Sequence, residues 1–351
     1  MRVEEIDTPA LLVDLDGFEE NLRRYQDYFD KYAIGLRPHI KTHKCVAMAH
    51  MQLRQGAIGI TCQKVSEAEV MVAGGLDGDV LIPFNVIGRQ KLERLMALAS
   101  RARVTVAADS IYTVNGLSSA AVGLDVNIGV VVELDQGRTG VGTSQHAVEL
   151  AKIIDESPGL ELRGVMIMPA PPSIRPFLQE VLSEFDKVGL PYPVVSGGST
   201  PCAFSAHEIP ELTEFRAGEY PVGGVKHLSI GTHTVDQCAG RVLATVVSRP
   251  DEDRAVIDAG SKSLSAATAE FNGQTVMGYV VEYPDALLLG ASEEHGQIDL
   301  KFCNKKPEIG EHVQIILAHP CPGFNEHDCI YALRDGRVEA VWQVDARGAI
   351  R

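Results

Sequence analysis

The chain has 351 residues, 45% of them hydrophobic and 23% charged, which suits one large domain or two with an ample core and excludes a miniature scaffold or a disordered chain. Lys plus Arg number 32 against 47 Asp plus Glu, a net charge of -15, and that field repels a phosphate backbone, so no nucleic acid partner is expected. No apolar run reaches the ~20 residues that span a bilayer, and the first eight residues are acidic rather than a basic leader. Seven scattered cysteines without a C-x-x-C pair point to reduced thiols and a cytoplasmic protein away from membranes.

In chain order, short Val- and Ile-rich runs alternate with longer amphipathic stretches through the first two thirds, the pattern of βα units around a parallel sheet. Strands are predicted over 35–41, 57–63, 79–84, 104–109, 126–135, 162–169, 192–197 and 226–231. Helices are predicted over 66–74, 88–101, 145–156 and 176–189, the first opened by a Ser66-x-x-Glu69 capping box. About eight strands in ~200–250 residues fit a closed (β/α)8 barrel of the TIM type. An open doubly wound sheet shares this periodicity but lacks here its usual Gly-x-Gly-x-x-Gly turn.

From about Asp236 the rhythm changes to strand after strand, over 241–249, 254–259, 275–282, 286–291 and 312–319. A hairpin over 329–334 and 338–344 follows, turned by Asp335-Gly336. The expected domains are therefore a barrel over 1–235 and an antiparallel β domain over 236–351, with the first residues free to pair with the second.

Three stretches carry candidate chemistry. Arg37-Pro38-His39-Ile40-Lys41-Thr42-His43-Lys44 falls at the C-terminal end of the first predicted barrel strand, the catalytic face of such a fold. A shielded lysine there, among other cations, would favour the neutral amine that forms Schiff bases; a solvated basic loop is the plainer reading. Ser196-Gly197-Gly198-Ser199-Thr200-Pro201 follows a late strand, where loops cradle phosphates, although a simple Gly/Ser turn has the same composition. His319-Pro320-Cys321 offers imidazole and thiolate two residues apart, a donor set for a borderline divalent ion, or else a buried cysteine beside a hydrogen-bonded histidine. Asp258 to Lys262 and Glu293 to Gly296 are further polar loops of functional composition.

Together these stretches resemble the pyridoxal-phosphate family of D-threonine aldolase, D-serine dehydratase and the hydroxyaspartate lyases, of the alanine-racemase-like fold. The resemblance runs nearly end to end. It also takes in Asp7-Thr8-Pro9-Ala10-Leu11, Gln63 to Glu69, Glu133-Leu134-Asp135 with Gly137 to Val141, and Glu214 to Tyr220. It implies pyridoxal 5'-phosphate on Lys41 as Schiff-base lysine, a phosphate site at Ser196, Gly197, Gly198, Ser199, Thr200 and Tyr220, and Arg138 near the cofactor ring. His319 and Cys321 match the family's metal pair, for zinc, manganese or magnesium, and the implied assembly is a homodimer.

The implied activity is a lyase of D-β-hydroxy-α-amino acids. Retro-aldol cleavage of D-threonine-like substrates to glycine and an aldehyde is expected first, with a metal-bound hydroxide or His43 as base. The alternative is a D-serine or D-3-hydroxyaspartate dehydratase that eliminates to a 2-oxo acid and ammonia. Cys321 leans towards the dehydratases, where aldolases tend to carry aspartate; the Gln63 to Glu69 stretch leans towards the aldolases. Gly323, Glu326 and Gly223-Gly224 depart from both patterns. A non-catalytic cofactor carrier and an amino-acid racemase complete the alternatives.

Overall fold

The computed structural model describes all residues from Met1 to Arg351, which divide into two compact units. One comprises Tyr25–Lys41, Met48–Gly218 and Gly348–Arg351. Its core is an eight-stranded sheet in the order Gly35–Leu36, Glu214–Arg216, Val194–Gly198, Leu160–Ile167, Ile128–Leu134, Arg103–Ala108, Asp79–Ile82 and Ile60–Thr61, with every pairing parallel. A parallel bridge between His39 and Thr61, with backbone bonds from Ile58 to Leu36 (2.9 Å) and Thr61 to Pro38 (2.8 Å), closes it into a barrel. All seven residues of Ile128–Leu134 are buried, as a strand with neighbours on both sides and a helix outside requires. Leu81, Ala107, Val131 and Met166, from four consecutive strands, form one layer of the packed core.

The expected helices lie at Val65–Ala73, Arg89–Ala99, Ser144–Glu156 and Arg175–Val188, joined by three that were not marked in the sequence, Leu15–Lys31, Val46–Arg54 and Ile111–Leu124, the last capped by Ser110. Two expectations need correction. The capping box does not form: the helix starts one residue earlier, its N-cap is Lys64, and Glu69 instead pairs with Arg94. The stretch predicted as an eighth strand over 226–231 is largely the short helix Val225–Ser229, whose apolar residues Val225 and Leu228 are one turn apart. The eighth strand is Glu214–Arg216, whose two charged side chains are buried, Glu214 paired with Arg37 and Arg216 bonded to Ser196, so the run reads as polar.

Leu160–Ile167 carries a bulge in its pairing with Ile128–Leu134, and Gly164 takes φ +123° just beyond it. A Cβ at this position would stand 2.1 Å from the carbonyl oxygen of Val194. Gly164→Ala is therefore expected to destabilise the barrel by at least ~2 kcal/mol, read as a lowered urea midpoint, and an unchanged midpoint would show that the strand can shift to make room.

The other unit comprises Met1–Arg24, Thr42–Ala47 and Glu219–Arg347. Its nine-stranded sheet runs Arg254–Ile257, Gly296–Asp299, Leu287–Ala291, Gly278–Val280, His312–Leu317, Gly240–Asp251, Ala10–Asp14, Cys329–Arg334 and Arg337–Gln343. Pairing is antiparallel except between Ala10–Asp14 and Cys329–Arg334. The last hairpin turns on Asp335 (φ 50°) and Gly336 (φ 68°), the two left-handed residues of a tight primed turn. This unit begins at Glu219, before the change of rhythm at 236, because the helix and turn in between contain no strand to mark it. No helix of the chain is long and apolar enough to cross a membrane.

Candidate active site

In the barrel, the residues that follow strand ends share the C-terminal rim, and this is where Lys41, Gln63, Arg138 and the 197–200 loop stand. Lys41 is half-buried on the one-turn helix Ile40–Thr42. Beside it His39 is buried, and burial, with the Lys41 charge next, holds its pKa well below the usual histidine value, so the ring is neutral. Its Nε2–H donates to Gln63 Oε1 at 3.0 Å. Its Nδ1 and the nearby Thr61 Oγ1 are buried with no hydrogen-bond partner. Orphaned polar atoms at a barrel mouth fit a site whose remaining partner is a polar small molecule.

The 197–200 loop has the form of a cradle. A Cβ at Gly198 would come within 3.1 Å of both Arg216 and Met168, so any side chain there would have to push these neighbours aside by a few tenths of an ångström. Ser199 takes φ +102° as the N-cap of the nine-residue 3-10 helix Thr200–Glu208. Its own N–H is used by Arg216 O (3.1 Å), and the Thr200 hydroxyl accepts from Gly218 N–H (3.1 Å). Ser196 is placed differently from its neighbours: fully buried, its hydroxyl donates to Glu214 at 2.7 Å and accepts from Arg216. That serine serves the network inside the barrel.

The same network fixes the barrel's charges. Arg37 lies between Glu214 (2.8 Å) and Asp79 (2.8 Å). Burial pushes the Arg216 guanidinium down to about 10 against the attraction of Glu214 and Glu133. Burial raises the Glu133 pKa above its ordinary value, opposed by the Thr139 hydroxyl and Arg138, whose guanidinium is half-exposed at 3.8 Å. A cavity of about 780 Å³ between the helices Arg89–Ala99 and Ile111–Leu124 is lined by none of these residues. Its apolar walls carry no chemistry that bears on the rim.

In the other unit, His319 caps the short helix Pro320–Phe324 just beyond the strand His312–Leu317, and this turn presents Cys321 to the same side. Glu219 joins them: its Oε1 lies 2.7 Å from His319 Nε2 and accepts from Cys321 Sγ at 3.4 Å. The three donor atoms lie within 4.8 Å of one another, a group able to hold a metal ion. Burial would raise the Glu219 pKa, but the His319 hydrogen bond, the charges of His227 and His319 and the Cys321 thiol hold it at about 2. Imidazole, thiol and carboxylate together suit zinc better than a hard ion, which prefers oxygen ligands alone.

His43, Thr42, Lys44 and Tyr220 belong to this unit. His43 is fully buried and its Nδ1 accepts from Cys45 N–H at 3.1 Å. In the neutral ring the proton is then on Nε2, which makes His43 a donor at that atom. Thr42 Oγ1 lies 3.1 Å from Cys321 Sγ, and Lys44 Nζ donates to Asn325 at 2.8 Å. Tyr220 is buried, and its carbonyl accepts from His233 Nε2 at 2.9 Å. Of the polar loops, Lys262 pairs with Glu294 at 2.6 Å on the surface, and Asp258 accepts from the Thr8 hydroxyl and from the Thr245 N–H.

Sequence reasoning assigned no role to Glu219, although it lies inside the 214–220 stretch. The available signal was an acid directly before the tyrosine at the end of the last barrel strand. What it meets, 100 residues further on, is not written in any local pattern.

Comparison with known proteins agrees with the barrel and the β domain. Residues 13–225 match the family described as "Alanine racemase, N-terminal domain", and residues 239–333 the "Putative serine dehydratase domain". The chain is 33% identical over 370 residues to D-threonine aldolase of Arthrobacter sp, covering 99% of this chain and 94% of that protein. It is 28% identical to D-threo-3-hydroxyaspartate dehydratase of Delftia sp. (strain HT23), with 96% and 97% covered. The crystal structure of D-threonine aldolase from Filomicrobium marinum superposes with a TM-score of 0.91 at 33% identity, covering 99% of this chain and 98% of that one.

Proposed function

The chain belongs to the alanine-racemase-like family that includes D-threonine aldolase, and from that premise we propose a pyridoxal-phosphate- and metal-dependent lyase that cleaves D-threonine-like substrates to glycine and an aldehyde. The convergence of Glu219, His319 and Cys321 carries this reading, because a Lewis acid there suits a substrate that bears a hydroxyl. When bound, pyridoxal phosphate supplies an electron sink for charge at Cα, and a divalent ion supplies the Lewis acid.

The chain's own residues hold and orient. Lys41 would hold the cofactor covalently, Gly197, Gly198, Ser199 and Thr200 with Tyr220 would take its phosphate, and Arg138 would stand near its ring. His319 and Cys321 would hold the metal. To act as base, His43 would have to take a second proton while fully buried, at a desolvation cost. A divalent ion held by His319 and Cys321 would supply the Lewis acidity that makes a water basic near neutral pH, the chemistry that the cleavage asks for.

The partners in this reading are a small D-amino acid and a second copy of the chain, and the compartment is the cytoplasm, where the seven free cysteines stay reduced. D-Threonine incubated with the cofactor- and metal-loaded protein is expected to yield glycine and acetaldehyde in equal amounts. One observation favours the second reading, a dehydratase: the thiol of Cys321 as the second ligand. Appearance of 2-oxobutanoate and ammonia in place of glycine would establish it and overturn the first.

A further inference from the structure

Beyond the pair His319 and Cys321, we infer that Glu219 is a third protein ligand of the metal, and that His227, buried behind it, is the positioning residue that holds its carboxylate in place. The inference rests on the reading of that pair as metal ligands.

The donor geometry comes first. Tetrahedral bonds of ~2.0–2.3 Å set neighbouring donors ~3.3–3.8 Å apart. Glu219 Oε1 already lies 2.7 Å from His319 Nε2 and 3.4 Å from Cys321 Sγ, so small side-chain rotations open the group to that spacing. The protons that bridge these contacts are those a metal displaces when it binds. Nitrogen, sulfur and oxygen from the protein leave one position for substrate or water, the pattern of a catalytic rather than a closed site.

The second observation lies behind the carboxylate. Its other oxygen, Oε2, stands 3.3 Å from His227 Nε2. His227 is fully buried, and neither of its ring nitrogens makes an aligned hydrogen bond; the 3.3 Å approach is a charge contact without that geometry. A buried polar atom left so is costly, and a small turn of Glu219 that aligns Oε2 with Nε2–H would satisfy it while Oε1 faces the ion. Carboxylate ligands are commonly held by such a donor on their far oxygen.

The local sequence is built to bring His227 there. A Cβ at Gly224 would stand 3.0 Å from Pro320 Cδ and 3.1 Å from Leu317 O, so this glycine lets the chain that carries His227 pack directly against the turn that carries His319 and Cys321. His233 braces the ring edge-on at 5.0 Å between centroids while its Nε2–H is tied to Tyr220 O, the residue after Glu219. A simple Glu219–His319 ion pair would need neither the close glycine nor an imidazole buried against the second oxygen.

The test is the zinc affinity of the cofactor-loaded protein, measured by competition with a chromophoric chelator, for the unmodified chain and for Glu219→Gln, Glu219→Ala, His227→Phe and His227→Asn. Glu219→Gln is isosteric and keeps the packing, so its loss of affinity does not report unfolding; retained cofactor absorbance checks each variant. Both Glu219 variants should bind zinc at least 10-fold more weakly, His227→Phe on the order of 10–100-fold more weakly, and His227→Asn should recover part through its side-chain N–H. Unchanged affinity in both Glu219 variants overturns the third ligand, and unchanged affinity in His227→Phe overturns the positioning role. No zinc binding by the unmodified chain overturns the metal pair itself, and this inference with it.

Discussion

Replacing Lys41 by Ala is expected to lower turnover by on the order of 10³–10⁶-fold, the range seen when a covalent nucleophile is removed, with the barrel still folded. The side chain is half-buried on a one-turn helix beside a neutral, buried His39, and nothing in the core depends on it. Borohydride should fix the cofactor to the unmodified protein as a permanent mass increase on the peptide with Lys41, and should fix none to the variant. Lys44 is the rival amine, but its Nζ is engaged by Asn325 at 2.8 Å. A Lys41→Ala protein that still traps the cofactor and still turns over would move the role to Lys44.

The second large effect is on stability. Arg37 and Glu214 have side chains only 7% and 4% exposed, and Asp79 completes the group. Burial alone would lower the Arg37 pKa, but Glu214 and Asp79 raise it above its ordinary value, so the cation is held. Arg37→Met leaves Glu214 charged in the barrel interior with Ser196 as its remaining polar contact, and should cost about 3–5 kcal/mol in urea unfolding. The double change Arg37→Met with Glu214→Met should recover part of this, because Glu214 is no longer left charged, although Asp79 still loses Arg37 and the buried Arg216 loses the attraction of Glu214. A single-variant loss under about 1 kcal/mol would mean that water reaches the network.

The same network explains what the sequence shows and hides. The parallel barrel is legible because its strands are buried on both faces and so read as continuous Val and Ile runs, such as Ile128–Leu134. Glu214–Arg216 breaks that rule, since Glu214 pairs with Arg37 and Arg216 bonds Ser196 inside, and hydropathy alone passes over it. The second sheet was visible as closely spaced strands, and its final hairpin as Asp335-Gly336. Insertion of Ala10–Asp14 between Gly240–Asp251 and Cys329–Arg334 is set by pairing across more than 200 residues, which no local period records. In the site, Lys41, His319 and Cys321 stand out by residue type and by resemblance. Glu219 and His227 do not, because a carboxylate before a tyrosine and a histidine on a five-residue helix gain their meaning only from what packs against them.

The most direct test follows glycine release from D-threonine by the cofactor-loaded protein with zinc present, after zinc is stripped by a chelator, and after it is restored. The account predicts glycine with one acetaldehyde each, arrest on stripping, and recovery on return of the metal. D-Threonine left intact by the fully loaded protein, or cleaved at an undiminished rate by the stripped one, would contradict it.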